Sequence, residues 1–367
     1  MQEEEIRVLI MAAGTGGHIF PALAIADRLR HRGAEVHWLG TPRGMEQKLL
    51  SGSGIPLHVI SASGLKDKGW RRLLVAPLML LRSLFQSLAI MARVRPNCVL
   101  GMGGYVSGPG GIAARLTGRR LVIHEQNAVA GFTNRRLAGF AHRVLEAFPN
   151  TFPSHYAAIV TGNPVRGEIS ALSRSNRQGA HSRQSLRLLI LGGSQGAKAI
   201  NEIVPQLISN WQEHVELHTW HQCGEFDFEH SKARYEESGI QQGGRHRLTA
   251  FIEDMAAAYD WADLVLCRSG ASTVFELAAA GLPSILVPYP HHSDRQQEKN
   301  GQWLVSGSAA HMVTQDKLTE AVVHKILLEF ATDRASLQRL ANHARDMANP
   351  ESADVIARHC LEVALGH

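Results

Sequence analysis

Two α/β domains, each a doubly wound parallel sheet covered by helices, are what this sequence predicts. Short apolar runs alternate with segments of helical pattern along the chain, as strands and covering helices do. Glycine-rich turns join such a run to the following helix at Gly14-Thr15-Gly16-Gly17-His18, Gly101-Met102-Gly103-Gly104-Tyr105 and Gly192-Gly193-Ser194-Gln195-Gly196. The strand, turn and helix that open the chain are echoed from Leu188, so each half starts with the same unit. A length of 367 residues also exceeds the comfortable size of one core.

The first half opens on Ile6-Arg7-Val8-Leu9-Ile10-Met11, a buried strand by its apolar run, then the first glycine turn and a helix over 19–32. Further strands are expected at 35–39, 57–60, 98–100, 121–124, 144–146 and 158–160, each short and apolar. Gly162-Asn163-Pro164-Val165-Arg166 breaks the pattern and a polar stretch runs from Ser170 to Ser185, which gives domains 1–163 and 164–367. The second half restarts with a strand at 186–191, the third glycine turn and a helix from Ala197. Strands are expected at 215–220, 246–250, 264–267 and 284–287, and helices over 273–280, 295–305, 318–330 and 352–364.

Composition narrows the class. Hydrophobic residues at 44% and charged residues at 19% describe an ordinary folded protein. Cys98, Cys223, Cys267 and Cys360 are scattered with no C-x-x-C pair, which fits a reducing compartment and no zinc site. The acidic start, Met-Gln-Glu-Glu-Glu, is no secretory leader, and no uninterrupted apolar stretch has bilayer length. A cytoplasmic protein, or one resting on a membrane face, is expected. Residues 1–163 hold 19 Lys and Arg against 9 Asp and Glu, a charge of +10; residues 164–367 hold 19 against 24, a charge of −5. The basic half suits an anionic partner. Nucleic acid fits poorly, since aromatics do not interleave the cations.

Glycine lets main-chain N–H groups approach an anion, and a helix N-terminus behind them adds a favourable dipole. The turns therefore point to a phosphate-bearing substrate in a crevice at the carboxyl edges of the sheets. None matches G-x-G-x-x-G or G-x-x-x-x-G-K-[ST], and Asp-x-Asp is absent, so neither a dinucleotide cofactor nor a metal is implied. In Cys267-Arg268-Ser269-Gly270-Ala271-Ser272-Thr273-Val274-Phe275-Glu276 a strand ends and small residues lead into a helix. Its amides, the hydroxyls of Ser272 and Thr273, and Ser194 would hold a diphosphate; Glu276, a turn further on, suits a ribose diol. The competing reading is an ordinary helix cap by Ser272 or Thr273. In Asp294-Arg295-Gln296-Gln297, two adjacent amides offer the donors and acceptors that sugar hydroxyls need.

Gly14-Thr15-Gly16-Gly17-His18, Gly103-Gly104-Tyr105-Val106-Ser107-Gly108-Pro109, His124-Glu125-Gln126-Asn127, Gly162-Asn163-Pro164-Val165-Arg166, Gly192-Gly193-Ser194-Gln195-Gly196-Ala197, Arg268-Ser269-Gly270-Ala271 and Asp294-Arg295-Gln296-Gln297 occur in one order. That succession resembles the bacterial peptidoglycan family that converts lipid I to lipid II, the UDP-N-acetylglucosamine–N-acetylmuramyl-(pentapeptide) pyrophosphoryl-undecaprenol N-acetylglucosamine transferases. The resemblance implies a glycosyltransferase B-type fold of two Rossmann-like domains facing a central cleft. The first domain would take the acceptor and the membrane; the second would hold UDP-GlcNAc, with the last helix packing back on the first. Ser194 and Ala271, Ser272, Thr273, Val274, Phe275 and Glu276 would contact UDP, Ile252 the uracil, and Gln296 and Gln297 the GlcNAc ring. Thr15, Gly16, Gly17, Asn127 and Arg166 would complete the donor or acceptor side, and Gly103, Gly104 and Tyr105 the acceptor pyrophosphate. Pro290-His291-His292-Ser293 is slightly longer than the family's usual loop, which leaves His291 and His292 without a role.

His18 is the first choice for a general base, since imidazole titrates near neutrality and this one sits at the tip of a phosphate-type turn. His124 and Glu125 compete for that role, and His18 orienting the acceptor pyrophosphate is the alternative. Lys66-Asp67-Lys68-Gly69-Trp70-Arg71-Arg72 leads into the apolar Leu73–Phe85 segment, the composition of an interfacial anchor for anionic phospholipid. A buried, sheet-covering helix would explain part of the same apolar face. The expected location is the cytoplasmic face of the bacterial inner membrane, where other cell-wall synthesis proteins are possible partners. A UDP-GlcNAc 2-epimerase would share architecture and donor, but leaves the basic-apolar segment and the Gly103-Gly104 turn unused. A nucleotide-responsive adaptor leaves His18, Gln296 and Gln297 unused.

Overall fold

The computed structural model describes residues 5–14, 16–62, 70–172, 185–193, 196–292 and 294–367, with side chains from residue 76 onward in the helix that begins at Trp70. Thr15, Ser194 and Ser293, the Lys66–Gly69 part of the basic entry with the side chains of Trp70, Arg71 and Arg72, and most of the Ser170–Ser185 stretch lie outside the described residues.

The chain forms two compact units, one running to Arg166 and regaining Asn349–His367, the other Gly167–Ala348. The first contains β1 (Arg7–Met11), α1 (Gly16–His31), β2 (Glu35–Gly40), α2 (Met45–Leu50), β3 (Leu57–Val59), α3 (Trp70–Val94), β4 (Cys98–Gly101), α4 (Gly104–Leu116), β5 (Arg120–Glu125), α5 (Phe132–Leu137), β6 (Arg143–Glu146) and β7 (Ile159–Val160). The second contains α6 (Gly167–Leu172), β8 (Ser185–Leu191), α7 (Lys198–Ser209), β9 (Glu216–Gln222), α8 (Phe228–Glu237), β10 (His246–Thr249), α9 (Met255–Trp261), β11 (Leu264–Cys267), α10 (Ala271–Ala280), β12 (Ser284–Leu286), α11 (Gln296–Ser306), β13 (Ala310–Met312), α12 (Glu320–Thr332) and α13 (Arg334–Asp346). A last helix, α14 (Ser352–Leu365), belongs to the first unit.

Both sheets are parallel throughout. Their orders, β3-β2-β1-β4-β5-β6-β7 and β10-β9-β8-β11-β12-β13, run outward from the opening strand in the same sense. Each therefore reverses direction of growth between its first and fourth strands, where open α/β sheets bind ligands at the carboxyl edge. Alternation along β1 divides the first core: Val8 and Ile10 pack with α1 and α14, Leu9 and Met11 with α3 and α4. The α14 residues Ile356, Ala357, Cys360 and Val363 are all in the first of these layers. Arg120 Nη1 fastens its end by donating to the carbonyls of Val363 (2.7 Å) and Ala364 (3.1 Å), and Arg28 and Arg32 pair with Asp354 at 3.3 and 3.2 Å.

Helix α3 carries two stripes. Ser83, Ser87, Ile90 and Val94, at helical spacing, are buried against the unit. Leu78, Leu81 and Phe85, also at helical spacing, point outward with Leu80, and Phe85 is 68% exposed. The Ala76–Val94 window is long and apolar enough to cross a bilayer by length and composition, and 28% of it is buried in the protein. The helix thus packs by one face and leaves a second, apolar face to its surroundings.

Candidate active site

In the first unit the glycine turns after β1 and β4 lie side by side. Gly103 has φ of +85°, a left-handed conformation that favours glycine, and a Cβ there would stand 3.3 Å from Asn134 Nδ2 and 3.6 Å from His18 Nε2. His18 and Asn134 thus approach the main chain at the head of α4, while the Tyr105 ring lies against Gly14. Helix α4 starts at Gly104 without a side-chain cap, so its first amides are left for an anion. Gly16 and Gly17 begin α1, and the Arg166 guanidinium sits 5.1 Å above the ring of Phe20, one turn along that helix. The structure therefore gathers Gly16, Gly17, His18, Gly103, Gly104, Tyr105 and Arg166 on one edge. Burial holds the His18 imidazole below its ordinary 6.5, and its Nδ1 is buried with no hydrogen-bond partner.

His124 and Glu125 have other work. The His124 Nε2–H donates to the Gly162 carbonyl at 3.0 Å, and its Nδ1 accepts from Gln126 Nε2 at 3.0 Å. Both ring nitrogens are occupied in a fully buried side chain whose pKa is depressed to about 4 by desolvation. Glu125 is saturated as well. Its Oε1 accepts from the main-chain N and the Nδ2 of Asn127 (both 3.1 Å), and its Oε2 from Gly131 N and Asn134 Nδ2 (both 3.0 Å). Burial raises its pKa against those four donors. This geometry makes both residues the frame that holds Asn127 and Asn134. Asn163, within Gly162-Asn163-Pro164-Val165-Arg166, has a buried amide with neither Oδ1 nor Nδ2 hydrogen-bonded. Such a group is costly unless a ligand completes it.

In the second unit the strongest anion site is the head of α10. Gly270 precedes it with no side-chain cap, and Val274 N is the first to bond back, to the Gly270 carbonyl at 3.0 Å. The N–H groups of Ala271, Ser272 and Thr273 are thus the unpaired first-turn amides. The Ser272 hydroxyl is buried without a partner, so the expected alternative of a Ser or Thr cap is not what forms. Val274 and Phe275 turn inward, Phe275 stacking on Trp303 at 4.5 Å, so their side chains do not face a ligand. Glu276 stays partly exposed, with Oε2 accepting from the hydroxyl of the buried Tyr259 at 3.0 Å.

Other expected contacts are only partly available. Ile252 is buried, and its neighbour Phe251, 57% exposed, presents the ring instead. Gln297 Oε1 is committed to the main-chain N–H of Tyr289 at 2.9 Å, and the Gln297 carbonyl accepts from the Ser269 hydroxyl at 2.7 Å. The Tyr289 ring is flanked edge-on by His291 and His292, each 5.2 Å away. At the third glycine turn, Gly192 N donates to the Gln222 carbonyl, Gly193 N to Gln222 Oε1 and Gly196 N to the Gly193 carbonyl. Those three amides are therefore not open to phosphate. Gly196 must be glycine for another reason: φ is +79° and a Cβ would lie 2.6 Å from the Cys223 carbonyl.

The depressed His124 pKa has a sign that can be checked. The unfolded chain binds a proton near 6.5 and the native ring only near 4, so stability is lost as pH falls through that window. The thermal midpoint is expected to drop between about pH 7 and about pH 4.5, and a His124→Gln variant to lose part of that slope. A His124→Gln protein with the full wild-type slope would contradict the assignment.

Residues 8–146 match the glycosyltransferase family 28 N-terminal domain and residues 187–358 its C-terminal domain. A relative from Marinobacter nauticus, 48% identical over 98% of both chains, is named UDP-N-acetylglucosamine–N-acetylmuramyl-(pentapeptide) pyrophosphoryl-undecaprenol N-acetylglucosamine transferase. The crystal structure of MurG from Acinetobacter baumannii superposes with a TM-score of 0.79 at 39% identity, covering 97% of this chain and 99% of that one. A UDP-N-acetylglucosamine 2-epimerase structure, 12% identical with a TM-score of 0.68 over 99% of this chain and 97% of that one, shares the fold alone. Two parallel-sheet units with these matches make a glycosyltransferase B-type fold. The chain belongs to glycosyltransferase family 28, among the UDP-N-acetylglucosamine–N-acetylmuramyl-(pentapeptide) pyrophosphoryl-undecaprenol N-acetylglucosamine transferases.

Proposed function

We propose that this protein transfers N-acetylglucosamine from UDP-GlcNAc to the C4 hydroxyl of the muramyl sugar in lipid I, giving lipid II and UDP in peptidoglycan synthesis. The observation that carries the reading is identity of 48% along nearly the whole chain to a protein named for that substrate pair. The acceptor oxygen attacks the anomeric carbon as the bond from that carbon to the diphosphate breaks, inverting the centre. The hydroxyl proton passes to His18, which burial keeps neutral and able to accept it. Charge developing on the departing diphosphate is met by the Ala271, Ser272 and Thr273 amides and the Ser272 hydroxyl, preorganised before the reaction. That arrangement, with no Asp-x-Asp in the sequence, supports a metal-independent transfer.

Glu276, steadied by Tyr259, accepts from the ribose hydroxyls, and Phe251 and the Ile252 main chain meet the uracil. Gln296 and the Nε2 of Gln297 read the sugar ring. The head of α4, with Gly103, Gly104 and Tyr105, takes the acceptor pyrophosphate, and Arg166, Asn127 and the start of α1 complete the set. The outward stripe of α3 supports a location on the cytoplasmic face of the bacterial inner membrane. Its exposed leucines and Phe85 enter the interface, and Arg82 meets anionic headgroups. Other cell-wall synthesis proteins are the partners expected there.

Transfer of labelled GlcNAc from its UDP ester to a lipid-linked muramyl-peptide tests the whole reading. Product is expected with excess chelator present; activity that disappears and returns on adding Mg²⁺ would overturn the metal-free step. His18→Ala is expected to lower turnover by about 10²–10⁴, and a loss below about tenfold would remove it as the base. In the wild type, kcat/KM should be level through neutrality and fall only on the acid side, with a midpoint below 6.5. A Leu81→Glu, Phe85→Glu double variant should lose most binding to anionic vesicles at low salt while keeping its affinity for UDP. Undiminished vesicle binding would place the membrane contact elsewhere.

A further inference from the structure

The donor reading assigns no role to Gln222, the last residue of β9, yet this side chain joins the two loops on either side of it. It is buried, and its amide is fully used. Oε1 accepts from Gly193 N at 3.0 Å, while Nε2 donates to the Gly193 carbonyl at 3.0 Å and to the Ala250 carbonyl at 2.9 Å. Gly193 belongs to the turn that follows β8, and Ala250 stands immediately before Phe251 and Ile252 on the loop that follows β10. The three strands are neighbours in the order β10-β9-β8. The main chain is already paired nearby, Gly192 N to the Gln222 carbonyl at 2.8 Å and Gly224 N to the Ala250 carbonyl at 3.2 Å.

A primary amide presents the same donor and acceptor as a peptide unit. Gln222 therefore adds one more rung to the sheet past the point where the strands diverge, and ties a loop on each side to a common point. No other side chain type does this at the same length. Glutamate turns an acceptor oxygen toward two carbonyls, methionine has neither donor nor acceptor of comparable strength, and asparagine is one methylene short.

We infer that Gln222 is a positioning residue for the nucleotide, fixing the loop that bears Phe251 and Ile252 against the glycine turn at Gly193. This rests on the reading that the second unit holds the uridine diphosphate sugar. Gln222 touches no reacting atom. Its loss lets the two loops move apart, which weakens recognition of the base and leaves the chemical step alone.

The test uses Gln222→Met and Gln222→Glu in the full chain, with kcat and KM measured separately for UDP-GlcNAc and for the lipid acceptor, and thermal midpoints recorded. In the methionine variant KM for UDP-GlcNAc should rise about tenfold or more, with kcat within about threefold of wild type and acceptor KM unchanged. The glutamate variant adds a signature that lost packing does not produce. Burial among carbonyls raises its pKa, and the protonated acid regains one donor, so KM for UDP-GlcNAc should recover as pH falls from about 8 to about 6. Wild type and the methionine variant should be flat over that range. Wild-type KM for UDP-GlcNAc in the methionine variant, or a fall in thermal midpoint with no change in KM, would overturn the inference and leave the donor reading intact. If methionine does not fold, a glutamate variant whose KM ignores pH overturns it. A wild-type protein that does not bind UDP by calorimetry overturns both.

Discussion

Three main-chain N–H groups at the head of α10 have no carbonyl to bond to, and no side chain steps in to cap them. A parallel strand that hands the chain directly to a helix creates this condition wherever the linking residues are small, because the first turn of a helix cannot satisfy its own donors. The same condition recurs at the head of α4. By contrast, α9, α12 and α13 open on Asp254, Thr319 and Asp333, each accepting from an amide of the first turn. The difference sorts helices whose first turn is met by a side chain from those, α4 and α10 among them, whose first turn is not. Much of the rest of the molecule can be understood as holding those unfinished ends in place.

That support is polar and buried. Glu125 gathers four donors from the 127–134 segment, so one carboxylate sets the position of Asn127 and Asn134. Tyr259, wholly inside, steadies Glu276 from behind. In the second unit His221 is held between Tyr235 and Asn201, and Asn201 in turn donates to the Cys223 carbonyl beside the third glycine turn. Each of these groups would be costly if left unpaired in a low-dielectric interior, so each fixes geometry more tightly than apolar contact alone. Among the buried polar atoms that remain unpaired, His18 Nδ1, the Asn163 amide and Ser272 Oγ belong to the motif segments at the glycine turns and strand ends, whereas Trp220 Nε1 and Ser284 Oγ do not.

The alternating architecture was legible because parallel strands buried on both faces are written as unbroken apolar runs. Val8–Met11, Leu188–Leu191 and Leu264–Cys267 have no other plausible use. Strand β13 escaped notice, since Ala310-His311-Met312 is too short to show a run. Helix α13 escaped because its apolar positions, Leu337, Leu340, Ala341 and Ala344, are diluted by charge, although their spacing was present to be read. Site residues were legible as types placed at strand ends, but not as partners. Nothing in the spacing of His124 and Glu125 says that Gly162 and the 127–134 segment occupy them: the first bond needs the chain to return from 38 residues away, and the others depend on how the nearby loop curls back. For the same reason Gln222 gave no sign of itself: its partners are main-chain atoms, and main-chain atoms leave no trace in a sequence.

Helix α14 packs beside α1 over β4 and β5, adding Ile356, Ala357, Cys360 and Val363 to the layer that holds Val8 and Ile10. Those residues are joined to the growing chain only after the whole of the second unit, whereas the strands they cover precede it. During synthesis the second unit has every one of its own elements before the first unit has all of its wall. The opening sheet must therefore wait, with a greasy flank uncovered, until the second unit has been made. An emerging chain of this design offers chaperones a longer grip on its beginning than on its middle, an inversion of the usual order in which domains ripen from the amino end.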